Sequence, residues 1–423
     1  MFKNVVDLIS FIESQKRMIR KVSLERFSKI CELFDNPQAG LKYIHVGGTN
    51  GKGSTVSYIS NILRSAEFNV ASYVSPYVIE FRERISYNNQ YIDNDSLLDI
   101  GNYILANYYK LEENNLEKLS FFEFVTLIAF IYFSRLKDLD YVVLEVGLGG
   151  ILDATNIITP LVSVITNINY DHMNVLGNTL NEIAYNKLGI VKEGVPLVTI
   201  YNEEVNEQII SLTNFKNSEL ILVKKEDLYF TEISLNQTLF SYKEYINIKL
   251  SLLGSHQAEN AALAIEVFKI LKNKYKIKLN DSNLYNGLFT TSWPGRIQVI
   301  HRNPDIILDG AHNIDGIRRL LEFVNDVKKD CKVKIIFAVS SNKQKEDMIE
   351  MLETVADELI FSSFHYKRSD SSSHLLELSH HKNKYVEDDL EKLVRDAKLD
   401  NNKLIIFCGS LYFISELIFI FKR

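Results

Sequence analysis

Residues Tyr43 to Thr55 read YIHVGGTNGKGST. An apolar run with β-branched Ile44 and Val46 meets four glycines, Gly47, Gly48, Gly51 and Gly53, and a helical pattern follows from Lys52 to Leu63. The order is strand, loop, helix. Glycine removes the Cβ atoms that would hold a polyanion away, so the loop's N–H groups and the positive end of the helix can converge on phosphate oxygens. Lys52 adds a point charge, and Ser54 or Thr55 a hydroxyl that can reach Mg²⁺. The spacing departs from G-x-x-x-x-G-K-[ST], because three residues separate Gly47 from Gly51 and Gly53 stands between lysine and hydroxyl. A tight turn that merely needs glycine would leave the lysine, the hydroxyl and the flanking elements unexplained.

Further strands are expected downstream. Asn69–Pro76 reads as one that stops at proline with Ser75 near its end, and Asn88-Asn89 marks a hairpin. A buried strand from Tyr141 to Leu144 delivers Glu145 into a second glycine-rich turn, and Leu161–Ile168 runs toward His172. In parallel α/β sheets ligands gather beyond the carboxyl ends of strands, so Ser75, Glu145 and His172 are offered to one rim, with Glu145 able to hold a Mg²⁺ that bridges nucleotide oxygens. Leu119–Lys137 is apolar nearly all round and reads as a buried helix. Thr179 and Glu182 form a capping box for a helix expected to run to Gly194, on which Lys187 reads as an ordinary solvated lysine.

Pro196–Leu253 reads as short β-rich segments, and LLGSHQAENAALAIEVFKILKN as a long helix with His256, Asn260 and Ala264 on one face. Pro294-Gly295 marks the domain boundary, giving expected domains of 1–295 and 296–423. The second is a smaller α/β domain whose first strand ends in DGAHN, placing Asp309, His312 and Asn313 at its rim. His365–Tyr385 reads as an irregular polar loop.

At 423 residues and 46% hydrophobic content the chain can fill two cores. Its net charge of −6 argues against a protein built to neutralise nucleic acid or anionic lipid. Cys31, Cys331 and Cys408 form no C-x-x-C pair, which points to a reducing compartment without a thiolate zinc site. The N-terminal MFKNVVDLISFIESQKRMIRK has the charge pattern of an amphipathic helix rather than a signal peptide, and the last helix, near Leu411–Phe421, reads as core because it is short and carries Glu416. A cytoplasmic protein without nucleic-acid or membrane partners is expected.

Taken together, GGTNGKGS, SPYVIEFRERI, FFE, EVGLGG-x-LDATN, the DH near LG-x-T, KLGI, LLGSHQ-x-x-NA, WPGR, DGAHN and the late GSLY resemble the folylpolyglutamate synthase family of the Mur ligase superfamily. The motifs run in order over nearly the whole chain. The resemblance implies a P-loop-type Mur-ligase ATPase domain with a mainly parallel sheet, followed by a smaller Rossmann-like C-terminal domain. It also implies the reaction: ATP activates a carboxylate of a reduced folate as an acyl phosphate, which the amino group of L-glutamate then displaces. Two relatives of that chemistry stand beside it, a bifunctional enzyme that also joins dihydropteroate to glutamate, and a cell-wall ligase acting on a UDP-sugar. A nucleotide switch without ligase activity is the contrasting class.

By the same resemblance Asn50, Gly51, Lys52, Gly53 and Ser54 hold the triphosphate, and Asn260, Arg296 and Asp309 make further nucleotide contacts, with ATP between the domains. Ser75, Glu145 and His172 ligate Mg²⁺. Lys187 matches the lysine that CO₂ converts to a carbamate (N6-carboxylysine), bridging to a second Mg²⁺. His312 matches a histidine near the transferred phosphoryl group, and Lys52, Lys187 and His312 form the catalytic set. Phe122, Leu152 and Asp153 match the pterin pocket. A monomer is implied. The chain departs from the family pattern at Ile151, where arginine is common, at Ile314, where proline is common, and at SSNKQKED (Ser341–Asp347), where a DKD-like turn is usual.

Overall fold

Strand β1 (Tyr43–Gly47) lies inside an eight-stranded sheet, and all five of its residues are buried. The computed structural model describes residues 1–16, 23–366, 368–401 and 403–423. Arg17 to Lys21, the end of the expected N-terminal amphipathic stretch, and Lys367 in the expected polar loop lie outside the described residues. The other strands of this sheet are β2 (Val70–Tyr73), β3 (Ile85–Tyr87), β4 (Gln90–Tyr91), β5 (Tyr141–Glu145), β6 (Val162–Ile165), β7 (Leu197–Ile200) and β8 (Leu220–Val223). Their order is β4-β3-β2-β5-β1-β6-β7-β8, parallel except that β3 runs against its neighbours β2 and β4. The hairpin between those two turns on Asn88 and Asn89, both at positive φ, a conformation Asn tolerates better than most residues.

Register sets what the sheet presents. Val46 pairs with Glu145 and Gly47 with Ile165, so β1, β5 and β6 end level and their following loops share one edge. Beneath them the helix Phe121–Arg135 is buried on almost every side, as a helix apolar all round must be, and it packs in one core with β1, β2 and β5. Its start is fixed by a capping box between Ser120 and Glu123, and the Glu123 carboxylate also pairs with Arg26.

The chain forms two compact units, Met1–Lys224 with Asn260–Gly287, and Lys225–Glu259 with Leu288–Arg423. The division differs from a single cut at 295/296. The antiparallel meander β9 (Leu228–Ile233), β10 (Thr238–Tyr242) and β11 (Tyr245–Leu250) counts with the second unit because Ile233 and Leu235 pack onto that unit's core. The rest of the second unit is a sheet of β12 (Gln298–His301), β13 (Ile306–Asp309), β14 (Lys332–Phe337), β15 (Glu358–Phe361), β16 (Lys384–Val386) and β17 (Lys403–Cys408), ordered β12-β13-β17-β14-β15-β16. Only β12 is antiparallel.

Three local readings change. The helix Asn206–Phe215 stands where only strands were expected, because it buries just Ile209 and Thr213 and so leaves little apolar periodicity. The capped helix after Thr179 ends at Leu188, five residues before Glu193, with Gly189 as its C-cap, a position where a Cβ would lie 2.3 Å from Ile151 Cγ1. Within 365–385, Ser371 caps a helix from Ser372 to Leu378, and β16 begins at Lys384. Among the described residues no helix is long and apolar enough to cross a membrane.

Candidate active site

The glycine loop after β1 is latched to the segment after β6. Thr166 Oγ1 donates to the Asn50 carbonyl at 2.5 Å, Asn167 Oδ1 accepts from the Asn50 N–H at 2.9 Å, and Thr49 exchanges hydrogen bonds with Asn169. Glycine is required at two points of this loop. Gly48 has φ +138° and a Cβ there would sit 1.9 Å from Thr166 Oγ1, while Gly51 has φ +83° and its Cβ would meet Asn260 Oδ1 at 2.2 Å. The second contact shows that the Asn260 amide lies directly on the glycine loop. Helix Lys52–Ser65 begins at Gly51, which has no side chain to cap it, so the positive end of the helix faces the loop. Ser54 and Thr55 are buried at its first turn.

Two cations meet over this loop. Lys52 Nζ donates to the carbonyls of Gly48 and Thr49 at 3.1 and 3.0 Å, and Lys187 Nζ donates to the same Gly48 carbonyl at 2.9 Å. Lys187 is only 4% exposed. Burial, then repulsion from Lys52, pushes its pKa down to about 7, with Asp171 pulling the other way. A substantial fraction of the amine is therefore neutral near physiological pH, and a neutral amine is a nucleophile. The solvated lysine read from spacing is in fact buried, because the helix Leu180–Leu188 turns Ile183, Ala184 and Lys187 inward together.

At the neighbouring strand end Glu145 is 3% exposed, and its Oε2 accepts from the Ser75 N–H at 3.2 Å. His172 is exposed, in a left-handed conformation at the start of a short helix, with its N–H donating to Asp171 Oδ1. Among the described residues no three His, Cys, Asp or Glu side chains gather closely enough to hold a metal by themselves. A buried carboxylate beside a serine nevertheless suits Mg²⁺, which usually keeps water and phosphate oxygens in its shell rather than filling it with protein ligands.

Phe122 lies across the second glycine turn, where a Cβ on Gly147 would fall 2.3 Å from its Cζ. Leu152, which follows that turn, is 54% exposed, whereas Asp153 is buried and its two oxygens accept from the Leu148 N–H, the Thr155 N–H and the Thr155 hydroxyl. In the second unit Asp309 is buried at the end of β13, accepting from the N–H groups of Ile297 and Ala311 at 2.7 and 2.8 Å. Burial raises its pKa, and Arg296 opposes that rise. His312 donates from Nδ1 to the Gly310 carbonyl at 2.8 Å, which in the neutral ring leaves Nε2 as an acceptor.

The Mur ligase middle domain family matches residues 46–268, and the Mur ligase glutamate ligase domain matches residues 295–411. Dihydrofolate synthase/folylpolyglutamate synthase of Bacillus subtilis is 34% identical over 429 residues, covering 99% of each chain. The chain belongs to the folylpolyglutamate synthase/dihydrofolate synthase family of Mur ligases. Folylpolyglutamate synthase of Thermotoga maritima has a similar structure, with a TM-score of 0.86 at 28% identity covering 99% of this chain and 97% of that one. A folylpolyglutamate synthase–AMPPCP–folate complex gives 0.85 at 27% identity, with 98% of both chains covered. The residues that spacing did not single out in this ligase are Thr166, Asn167, Asn169 and Asp171. Their signal was the run of polar residues directly after a buried strand, TNINYD, at the edge where ligands gather.

Proposed function

We propose that this ligase uses ATP to join L-glutamate to the γ-carboxylate of a reduced folate, through an acyl phosphate and with release of ADP and phosphate. The observation that carries the reading is the convergence of Lys52 and Lys187 on one loop carbonyl, one strand away from buried Glu145. It occurs in a chain similar along its length to a complex with an ATP analogue and folate. Two anions, a polyphosphate and a carboxylate, must approach each other, and preorganised cations and N–H groups lower that barrier.

In this reading Asn50, Gly51, Lys52, Gly53 and Ser54 cradle the triphosphate, while Asn260, Arg296 and Asp309 hold the rest of the nucleotide. Ser75, Glu145 and His172 would hold Mg²⁺, and a carbamylated Lys187 would supply an anionic ligand for a second ion. Bound Mg²⁺ supplies charge neutralisation at the phosphate oxygens. The neutral Lys187 amine attacks CO₂ and loses a proton, forming the N6-carboxylysine carbamate, which replaces a cation by an anion that a second metal can share. His312 presents Nε2 to the transferred phosphoryl group. Phe122 stacks on the pterin ring, with Leu152 and Asp153 beside it. The free thiols of Cys31, Cys331 and Cys408 agree with a cytoplasmic setting, and we take the working form to be a monomer.

A second reading, that the enzyme also makes dihydrofolate from dihydropteroate and glutamate, is favoured by the double name of the Bacillus subtilis relative. The purified protein should lengthen tetrahydrofolate by glutamyl residues, seen by mass spectrometry, in the presence of ATP and Mg²⁺. Glutamate-dependent ADP release with dihydropteroate adds the second activity. Turnover only on a UDP-muramoyl acceptor, or ATP hydrolysis indifferent to both folate and glutamate, would overturn the proposal.

A further inference from the structure

His45 is fully buried at the middle of β1, two residues before Gly47, and its Nε2 lies 2.8 Å from Thr155 Oγ1. Thr155 Oγ1 is in turn 2.5 Å from Asp153 Oδ1. The direction of this chain follows from valence. Both Asp153 oxygens face N–H donors, those of Thr155 and Leu148, so the carboxylate accepts. Thr155 has one hydroxyl proton and gives it to Asp153, so it must accept from His45, whose proton therefore sits on Nε2.

Burial, and then the charge of Lys192, holds the His45 pKa down to about 3, so the imidazole is neutral. Its Nδ1 is buried without a hydrogen-bond partner. An unsatisfied buried acceptor costs stability, and a β-branched aliphatic residue at this central strand position would avoid that cost. Packing therefore does not account for the histidine; its Nε2–H does.

The far end of the chain is the second glycine turn. Asp153 Oδ2 accepts from the Leu148 N–H at 2.8 Å, which ties down the turn whose Gly147 backbone lies against the Phe122 ring. Leu148 and Leu152 stand exposed on the same turn, at 37% and 54%. The sheet strand that leads into the phosphate loop thus braces, through two side chains, the loop that carries the acceptor-pocket residues.

We propose that His45 and Thr155 are positioning residues for the folate acceptor, holding the 147–153 turn through Asp153 without touching substrate. The proposal rests on the reading that Phe122, Leu152 and Asp153 receive folate. β1 is held by backbone pairing to β5 and β6 whatever the His45 side chain does, whereas the turn depends on Asp153. Loss of the chain should therefore loosen folate binding and spare the nucleotide.

The test compares Thr155→Val, which keeps the shape and removes the hydroxyl, with Thr155→Ser, which restores it. The expected result is a KM for tetrahydrofolate raised about ten-fold in Thr155→Val, as for one lost hydrogen bond to a charged group, with the KM for ATP within about two-fold of wild type. Thr155→Ser should return both to wild type. If Thr155→Val does not fold, His45→Leu against His45→Gln gives the same readout, because the Gln amide can donate from the place of Nε2. A folded Thr155→Val whose folate KM is unchanged, or whose ATP and folate KM values rise together, overturns the proposal. Wild-type protein that fails to turn over folate would instead overturn the functional reading on which it rests.

Discussion

The carboxyl edge of the first sheet gathers two lysines against a backbone loop beside buried Glu145, whereas that of the second unit's sheet buries a carboxylate, Asp309, with no lysine bonded to it among the described residues. At the first, Lys52 and Lys187 share the Gly48 carbonyl and an uncapped helix start lies below them. At the second, β13 ends in Asp309, held by two N–H groups and opposed electrostatically by Arg296. Paired lysines attract phosphate and depress a lysine pKa; a buried carboxylate orients neutral N–H donors. Similar parallel sheets thus present different charges to their loops, and the proposed carbamate belongs to the first.

That contrast can be broken most severely at Lys187. Lys187→Ala should reduce ADP release by about 10³-fold or more while AMPPCP binding persists, because the residue is assigned to transition-state electrostatics rather than to holding nucleotide. Wild-type turnover in the variant would remove the carbamate role. Glu145→Gln keeps the shape of the strand end and removes its charge, and kcat should fall by about 10²- to 10³-fold. A rate unchanged across a Mg²⁺ titration would contradict the metal assignment.

At Asp309 the expected loss is smaller. Asp309→Asn keeps the shape and an acceptor oxygen, so kcat/KM for ATP should fall by about ten-fold, measured by steady-state kinetics. A loss as large as that of Lys187→Ala would show that the two edges contribute alike. The mildest test is pH. Lys187 has a folded pKa depressed to about 7, so its neutral form is present above that value and is lost as pH falls through it. Activity should decline by a few-fold between about pH 8 and 6 and be partly restored by added bicarbonate. A profile flat over that range, and indifferent to bicarbonate, would place the lysine outside the chemistry.

Much of the first edge is legible in the bare sequence because glycines, a lysine and a hydroxyl after a β-branched run have few other uses. Glu145 is legible for a similar reason, as a charge ending a run of buried aliphatics. Lys187 is not: helical spacing makes it look solvated, and only the inward turn of Ile183 and Ala184 buries it. The latch from Thr166, Asn167 and Asn169, and the contact of His45 with Thr155 across 110 positions, depend on which strands become neighbours, and local pattern cannot supply that order. The meander from β9 to β11 was readable as β structure, but its place with the second unit rests on Ile233 and Leu235 finding that core. The helix Asn206–Phe215 escaped notice because only two of its residues face inward.

The most direct test of the central claim couples two products in one reaction. Purified protein with ATP, Mg²⁺, tetrahydrofolate and L-glutamate should release one ADP for each glutamyl residue added to the folate, with neither product formed when glutamate is left out. ADP released at the same rate without glutamate, and no lengthened folate in the mass spectrum, would contradict it.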